Sequence, residues 1–259
     1  MNETELLFTE ALNCDRLSLY LNKAQALKKE RSVFISSVLK RRCIGEPIQY
    51  ILGRADFMGL EFKVSPVVLI PRPETEILVT KVIDMATSHQ SLKILDIGTG
   101  SGCIAVSLAK YLPGARLDAL DVSQEALEIA KQNAILNNVT VNFIHSDLFN
   151  NFQRPEAKYD IIISNPPYIP TSEIDMLAPE VQYEPRMSLD GGRDGLDFYR
   201  RIIGLSPDHL KSSGILIMEI GFTQAGPVRN IFNKSGKFEI IDVASDYNDI
   251  ERVIVARKA

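Results

Sequence analysis

Apolar residues fall three or four apart in ETELLFTEAL, RLSLYLNKAQAL and RSVFISSVLKRR, so residues 1 to about 45 read as short helices, with Asp15 and Ser32 near plausible N-termini. The texture then changes. In GEPIQYILGRADFMGLEFKVSPVVLIPRPETE, Gly and Pro interrupt extended pieces such as FKV and VVLIP, which predicts a linker with a small hairpin. From Pro73 onward, strand-length apolar runs alternate with helical ones. KILDIG, RLDALDV, VNFIHSD, YDIIISN, GILIMEIG, FEIIDVA and RVIVAR are strand-like. ETEILVTKVIDMA, SGCIAVSLAKYL, SQEALEIAKQNAILN and FYRRIIGLSPDHL are helical. This alternation predicts an α/β fold with a mostly parallel, doubly wound sheet. The last two strand runs are separated by SDYNDIE, too short for a crossover, so the sheet should end in an antiparallel hairpin. Gly226-Pro227 should shorten or delay the helix in FTQAGPVRNIF.

Composition narrows the class. With 45% hydrophobic and 24% charged residues in 259, the chain has the mix of a soluble globular protein. A net charge of −4 gives no overall positive field for gripping nucleic acid. Residues 1–70 carry 10 Lys+Arg against 8 Asp+Glu, and the remainder 19 against 25. Lys40-Arg41-Arg42 is the densest basic run; it reads either as a solvated helix end or as a contact point for an acidic or ribonucleoprotein partner. Cys14, Cys43 and Cys103 show no metal-ligand or disulfide spacing, which points to a reducing compartment and no metal. The acidic start lacks a signal-peptide pattern, and no run approaches the roughly 18 apolar residues of a membrane span, so the expected location is the cytoplasm.

Four segments carry candidate chemistry. ILDIGTGSGCIAVSLA (94–109) takes a strand through Gly98, Gly100 and Gly102 into a helix, a turn that lets backbone approach a ligand closely. The GxGxG spacing departs from the GxGxxG dinucleotide fingerprint. Asp96 ahead of it would repel a pyrophosphate and suit a cationic amino-acid ligand, which favours S-adenosylmethionine over NAD. Asp121 ends the next strand and could accept both ribose hydroxyls. After the third strand, Asp147 could accept from an adenine amine, with Leu148 and Phe149 covering the ring. Asn165-Pro166-Pro167-Tyr168 follows YDIIIS directly. There the Asn165 side-chain oxygen and the Pro166 carbonyl can present two fixed acceptors to an NH₂ group, and Tyr168 offers a flat face for a planar one. Such acceptors would draw a delocalised nitrogen lone pair toward an attacking, tetrahedral form.

The glycine loop followed by NPPY resembles the S-adenosylmethionine-dependent class I methyltransferases that act on planar amines. EPIQYILG (46–53), FKVSPVVLIPRPETE (62–76), PEVQYEP (179–185) and LDGGRDGLDFYR (189–200) make the chain similar to the PrmC/HemK family. That resemblance implies methyl transfer to the side-chain amide of the glutamine in the GGQ motif of peptide chain release factors. It implies a class I Rossmann-like sheet with an antiparallel C-terminal hairpin, plus a small N-terminal helical domain. The implied division is 1–54 as a docking domain, 55–72 as a hairpin linker and 73–259 as the methyltransferase domain. Carried over, the cofactor loop falls on Gly98, Thr99, Gly100, Ser101 and Gly102, with Asp121, Leu148 and Asn165; Asp147, read from its own position, completes the expected S-adenosyl-L-methionine site. Asn165, Pro166, Pro167 and Tyr168 form the glutamine pocket, with Asn165, Pro166 and Tyr168 catalytic. Arg72 and Glu76 lie near the cofactor or pair at the surface, and 189–200 closes a loop. The expected partner is a release factor, bound by a monomer with no DNA and no membrane. A ribosomal-protein glutamine methyltransferase, a DNA adenine methyltransferase, an NAD(P)-dependent oxidoreductase and a non-catalytic binding module are the alternatives.

Overall fold

The computed structural model describes residues 2–21, 27–86, 91–150 and 158–259. Helices α1 (Glu3–Leu12), α2 (Arg16–Leu21), α3 (Lys29–Cys43) and α4 (Ile48–Leu52) open the chain. Asp15 caps α2, accepting from the Ser18 N–H at 2.7 Å. Ser32 starts no helix: α3 begins ahead of it, at Lys29, and the Ser32 hydroxyl donates back to the Lys28 carbonyl at 3.3 Å. The part of the second helical run at 22–26 lies outside the described residues. Leu7, Ile35, Val38 and Ile48 form a small core of their own beneath these helices.

The hairpin is β1 (Arg54–Phe57) with β2 (Leu60–Lys63), paired Arg54 to Lys63. VVLIP forms no strand, yet Val68 and Ile70 are buried. Helix α5 (Pro73–Met85) then starts on proline, whose missing N–H costs nothing in a first turn. The sheet comprises β3 (Lys93–Ile97), β4 (Arg116–Asp121), β5 (Asn142–His145), β6 (Tyr159–Ser164), β7 (Leu210–Glu219), β8 (Phe238–Ser245) and β9 (Glu251–Lys258). Its order is β5-β4-β3-β6-β7-β9-β8. The first five named are parallel, and β9 runs antiparallel between β7 and β8. The mostly parallel sheet with its antiparallel C-terminal pair is the architecture the sequence pattern predicts.

Helices α6 (Cys103–Tyr111), α7 (Gln124–Leu136), α8 (Asp197–Leu205) and α9 (Ala225–Ser235) complete the fold. Strand alternation sends Leu95, Ile97 and Ile162 to one face, against Tyr199, Ile202 and Phe232. Ile94, Ile161 and Ile163 go to the other, against Leu78, Val82 and Ile104. Gly226-Pro227 does not delay α9: Pro227 sits in its first turn, where the backbone N–H has no helical partner to lose. Strands β4 and β6 flank β3, so the chain reverses direction across the sheet there. A ligand crevice forms at the carboxyl ends of strands at such a switch point, and those ends carry Gly98 and Asn165.

Candidate active site

The loop after β3 turns through left-handed conformations at Gly98 (φ 73°), Gly100 (φ 54°) and Gly102 (φ 81°). At Gly98 and Gly100 an added Cβ would meet no protein atom within 4 Å, and both residues line a cleft of about 800 Å³, its open mouth included. What these two glycines leave open is therefore room for a ligand. Gly102 answers a different need: a Cβ there would stand 3.0 Å from the Ala130 side chain, so it permits α6 to pack on α7. Thr99 and Ser101 are buried and do not reach the cleft.

Four of the loop's amides are spent internally. Gly98 and Thr99 N–H both donate to the Leu120 carbonyl at 2.9 Å, Gly102 N–H to Thr99 at 2.8 Å, and Gly100 N–H to the Asp121 carboxylate at 2.8 Å. A pyrophosphate would need such donors free, so the loop is a poor anion cradle. Asp96 differs from the sequence expectation of a ligand contact: it is fully buried beneath the loop, taking the Thr99 hydroxyl at 2.6 Å. Burial pushes its carboxyl up to about 7. Asp121 lines the cleft, its pKa raised by burial against donation from Ser123 and Gly100 N–H. Each of its oxygens keeps a lone pair for a further donor. Gly98, Gly100 and Asp121 thus fit a ligand with hydroxyls and a positive charge, as S-adenosyl-L-methionine has.

Asn165, Pro166 and Pro167 border the same cleft. Asn165 and Pro166 also border a second cleft of about 970 Å³, mouth included, which Tyr168, Arg72, Glu219 and Arg252 line as well. So the residues the sequence groups as NPPY are divided: Pro167 faces the first space, Tyr168 the second, and Asn165 and Pro166 stand at the junction. Burial raises the Tyr168 hydroxyl to about 12, so its ring is a neutral wall. The segment is pinned from behind. Gln224 donates to the Tyr168 carbonyl at 2.8 Å, and an added Cβ on Gly195 would come within 2.4 Å of that same oxygen. Ile169 exchanges backbone bonds with the 189–200 segment: its N–H donates to the Leu189 carbonyl at 2.9 Å, and the Gly191 N–H reaches its carbonyl at 2.8 Å.

The Asn165 amide is held at one end. Its Nδ2 donates to the Thr75 hydroxyl at 3.0 Å, and Thr75 donates to Glu219 at 2.6 Å. With Nδ2 so engaged, the acceptor end is the one turned away from Thr75. The site thus offers a fixed acceptor oxygen between a cleft suited to a cationic nucleoside and a cleft walled by an aromatic ring.

Known proteins resemble this chain over nearly its full length. The PrmC N-terminal domain family matches residues 1–53 and the methyltransferase small domain family residues 73–180. The release factor glutamine methyltransferase of Geobacter sulfurreducens is 43% identical over 98% of this chain and 88% of its own length. That of Koribacter versatilis is 41% identical over 98% and 90%. The chain belongs to the release factor glutamine methyltransferase family. Among solved structures, a methyltransferase from Pyrococcus furiosus shares the fold at TM-score 0.58 and 20% identity, over 86% of this chain and 98% of that one.

Within this family member, the end of β5 departs from the adenine reading in part. Leu148 lines the first cleft, in a left-handed turn (φ 50°). Asp147 also lines it, but Arg201 holds its carboxylate at 2.7 and 2.9 Å. Phe149 turns away and stacks on His209, ring centroids 4.1 Å apart; Phe198 and Ile202 supply apolar lining instead. Glu76 is not near the first cleft: it accepts from the Met58 N–H at 2.6 Å and fixes the β1–β2 turn. Arg72 lines the second cleft and pairs with buried Glu184. Thr75, Glu219 and Gln224 went unmarked in the sequence reading. Thr75 lies inside PRPETE and Glu219 ends a strand run, two signals that could have found them.

Proposed function

We propose that this chain transfers one methyl group from S-adenosyl-L-methionine to the side-chain amide nitrogen of the glutamine in the GGQ motif of peptide chain release factors. The observation that carries this reading is Asn165 standing at the junction of two clefts with its amide nitrogen already engaged. Names of relatives spanning nearly the full chain support the same substrate. When bound, S-adenosyl-L-methionine supplies an electrophilic methyl group on a sulfonium.

Gly98 and Gly100 give the backbone room for it, and Asp121 accepts from the ribose hydroxyls. Asp147 and Leu148 edge the adenine end. Thr99, Ser101 and Gly102 shape the loop from beneath. Asn165 Oδ1 and the Pro166 carbonyl accept the two hydrogens of the glutamine amide. A planar amide nitrogen attacks poorly because its lone pair is delocalised, and two fixed acceptors favour the form in which that pair is released. Pro166 and Pro167 keep the acceptors from drifting. Tyr168 walls the flat amide from the second cleft and Pro167 closes the junction from the first, which limits the approach angle.

In this reading, residues 1–54 dock the protein substrate, 55–72 link, and 73–259 carry the chemistry. The enzyme works as a cytoplasmic monomer, independent of DNA and membrane. The net charge of −4 supports the first of these exclusions, and no helix among the described residues is long and apolar enough to cross a membrane. The test is incubation with S-adenosyl-L-methionine and intact release factor, followed by mass mapping of the tryptic peptide. A single added methyl on the GGQ glutamine is expected. A methylated DNA adenine with an unmodified release factor would overturn the reading.

A further inference from the structure

An asparagine amide can face a site by its oxygen or, after a half-turn, by its nitrogen, and the two ends have nearly the same shape. Methyl transfer to an NH₂ group needs the oxygen. A second NH₂ facing the substrate would repel its hydrogens and leave the lone pair delocalised. Something must therefore hold Asn165 in one of two sterically equivalent states.

Three side chains from three elements meet for this. Strands β6 and β7 are parallel neighbours, with Ser164 opposite Met218, so Asn165 and Glu219 emerge side by side. The first turn of α5 sets Thr75 between them, 3% exposed. Thr75 has one hydroxyl proton, and that proton is given to Glu219 at 2.6 Å. Toward Asn165 the Thr75 oxygen can then act only as an acceptor. Asn165 must present its nitrogen to Thr75, as it does at 3.0 Å, and its oxygen to the other side. We propose that Thr75 and Glu219 form a relay whose fixed hydrogen-bond direction keeps the Asn165 oxygen facing the substrate amide. Both are positioning residues, and the inference rests on the functional reading above.

The relay keeps its direction while Glu219 is ionised. A protonated Glu219 could donate to Thr75, freeing the Thr75 proton for the Asn165 oxygen and permitting the half-turn. Burial pushes the Glu219 carboxyl up to about 7, with hydrogen bonds from the Thr75 hydroxyl and, more weakly, from the Asn165 side chain itself opposing, so the ionised carboxylate also favours the Asn165 nitrogen on its side. The charged and titratable groups around it come from several elements. Glu74 in α5 raises its pKa, and Arg252 in β9 lowers it. Arg252 is itself paired with Asp246 at 2.8 Å. Cys103 of α6, Tyr168 and Tyr199 of α8 interact with Glu219 as neutral groups, their pKa values raised by burial. Arg72 borders the same cleft and pairs with Glu184.

Thr75→Val keeps the shape and removes the relay; Thr75→Ser keeps the hydroxyl; Glu219→Gln keeps an acceptor and removes the titration. With saturating S-adenosyl-L-methionine and intact release factor, Thr75→Val should lose about tenfold or more in kcat, the worth of one misdirected hydrogen bond. Its Kd for S-adenosyl-L-methionine, read by calorimetry, should stay within about twofold, and Thr75→Ser should recover most of the rate. Wild-type kcat should fall as pH drops through about 7, and Glu219→Gln should flatten that limb. A readout without any ligand is the side-chain amide resonance of Asn165 in ¹⁵N-asparagine-labelled protein, assigned by its absence in Asn165→Asp. It should shift with pH near 7 in wild type and stay still in Glu219→Gln. Wild-type kcat and an unmoved amide resonance in Thr75→Val would overturn the relay. So would parallel loss of kcat and cofactor affinity that Thr75→Ser fails to restore. A wild-type protein that methylates no GGQ glutamine would overturn the functional reading, while the resonance still judges the relay.

Discussion

Glu5 in the N-terminal helices and Glu219 at the end of β7 are both nearly hidden from solvent, 5% and 2% exposed, yet their protons are held in opposite senses. Tyr20 at 2.6 Å and Arg16 at 2.9 Å donate to Glu5, and its carboxyl drops to about 2. Glu219 has the Thr75 hydroxyl and a deep setting between sheet and helix, and rises to about 7. In the small helical layer the donors are abundant and the surface is near, so hydrogen bonds outweigh desolvation. At the carboxyl edge of the sheet, desolvation wins. The N-terminal region uses charge to hold itself together. The carboxyl edge of the sheet keeps a reluctant charge, where the proposed relay depends on the direction of its hydrogen bond.

The largest effect expected from breaking this contrast is at the junction itself. Asn165→Ala should lower kcat on the order of 100-fold or more, because in the proposed reaction it removes an acceptor used on the reacting amide. Its calorimetric Kd for S-adenosyl-L-methionine should change far less. Next, Asp121→Ala should weaken that Kd by about tenfold or more, the worth of hydrogen bonds to a charged group, with a smaller change in kcat at saturation. Equal losses in both quantities for both variants would erase the division of labour between them.

Smaller effects test the contrast as stability statements, with Asp96, a second acid raised by burial at the carboxyl end of the sheet, standing beside Glu5. Glu5 is depressed from 4.5 to about 2, so its contribution is present above 4.5 and is lost as pH falls through 2. Asp96, raised from 3.8 to about 7, contributes below 3.8 and loses that contribution as pH rises through 7. Relative to wild type, the melting temperature of Glu5→Gln should therefore drop as pH climbs from 2 to 4.5. That of Asp96→Asn should gain as pH climbs from 3.8 to 7. Melting curves that move in the same direction would remove the contrast.

The smallest effect concerns docking. Arg41 pairs with Glu46, and Arg42 bridges Glu3 at 3.0 Å and Glu180 at 2.7 Å. Reversing all of Lys40-Arg41-Arg42 would break the structure's own ion pairs, so Lys40→Glu alone is the clean probe. It should raise KM for intact release factor by a few-fold through slower association, and leave a short GGQ peptide unaffected. An unchanged KM would make Lys40 a solvated helix end.

Much of this molecule was legible in its sequence. An apolar run such as the three isoleucines of YDIIIS fits between two covered faces of a sheet, and the short SDYNDIE link forces an antiparallel return. Gly98 and Gly100 were readable because φ > 0 and an absent side chain are properties of the residue itself. NPPY was readable because proline fixes its own backbone. What the sequence could not supply was the partner of each polar group. Asp96 and Asp121 are both acids at strand ends, but one is sealed beneath the loop and the other lines the cleft. Phe149 stacks on His209 rather than over a ligand because β7's approach places that ring beside it. Thr75 and Glu219 stand 144 residues apart and meet only because α5 packs across the ends of β6 and β7. Periodicity, turns and backbone freedom are local and travel with the chain; burial and hydrogen-bond direction depend on which distant elements arrive, and the tertiary structure alone decides them.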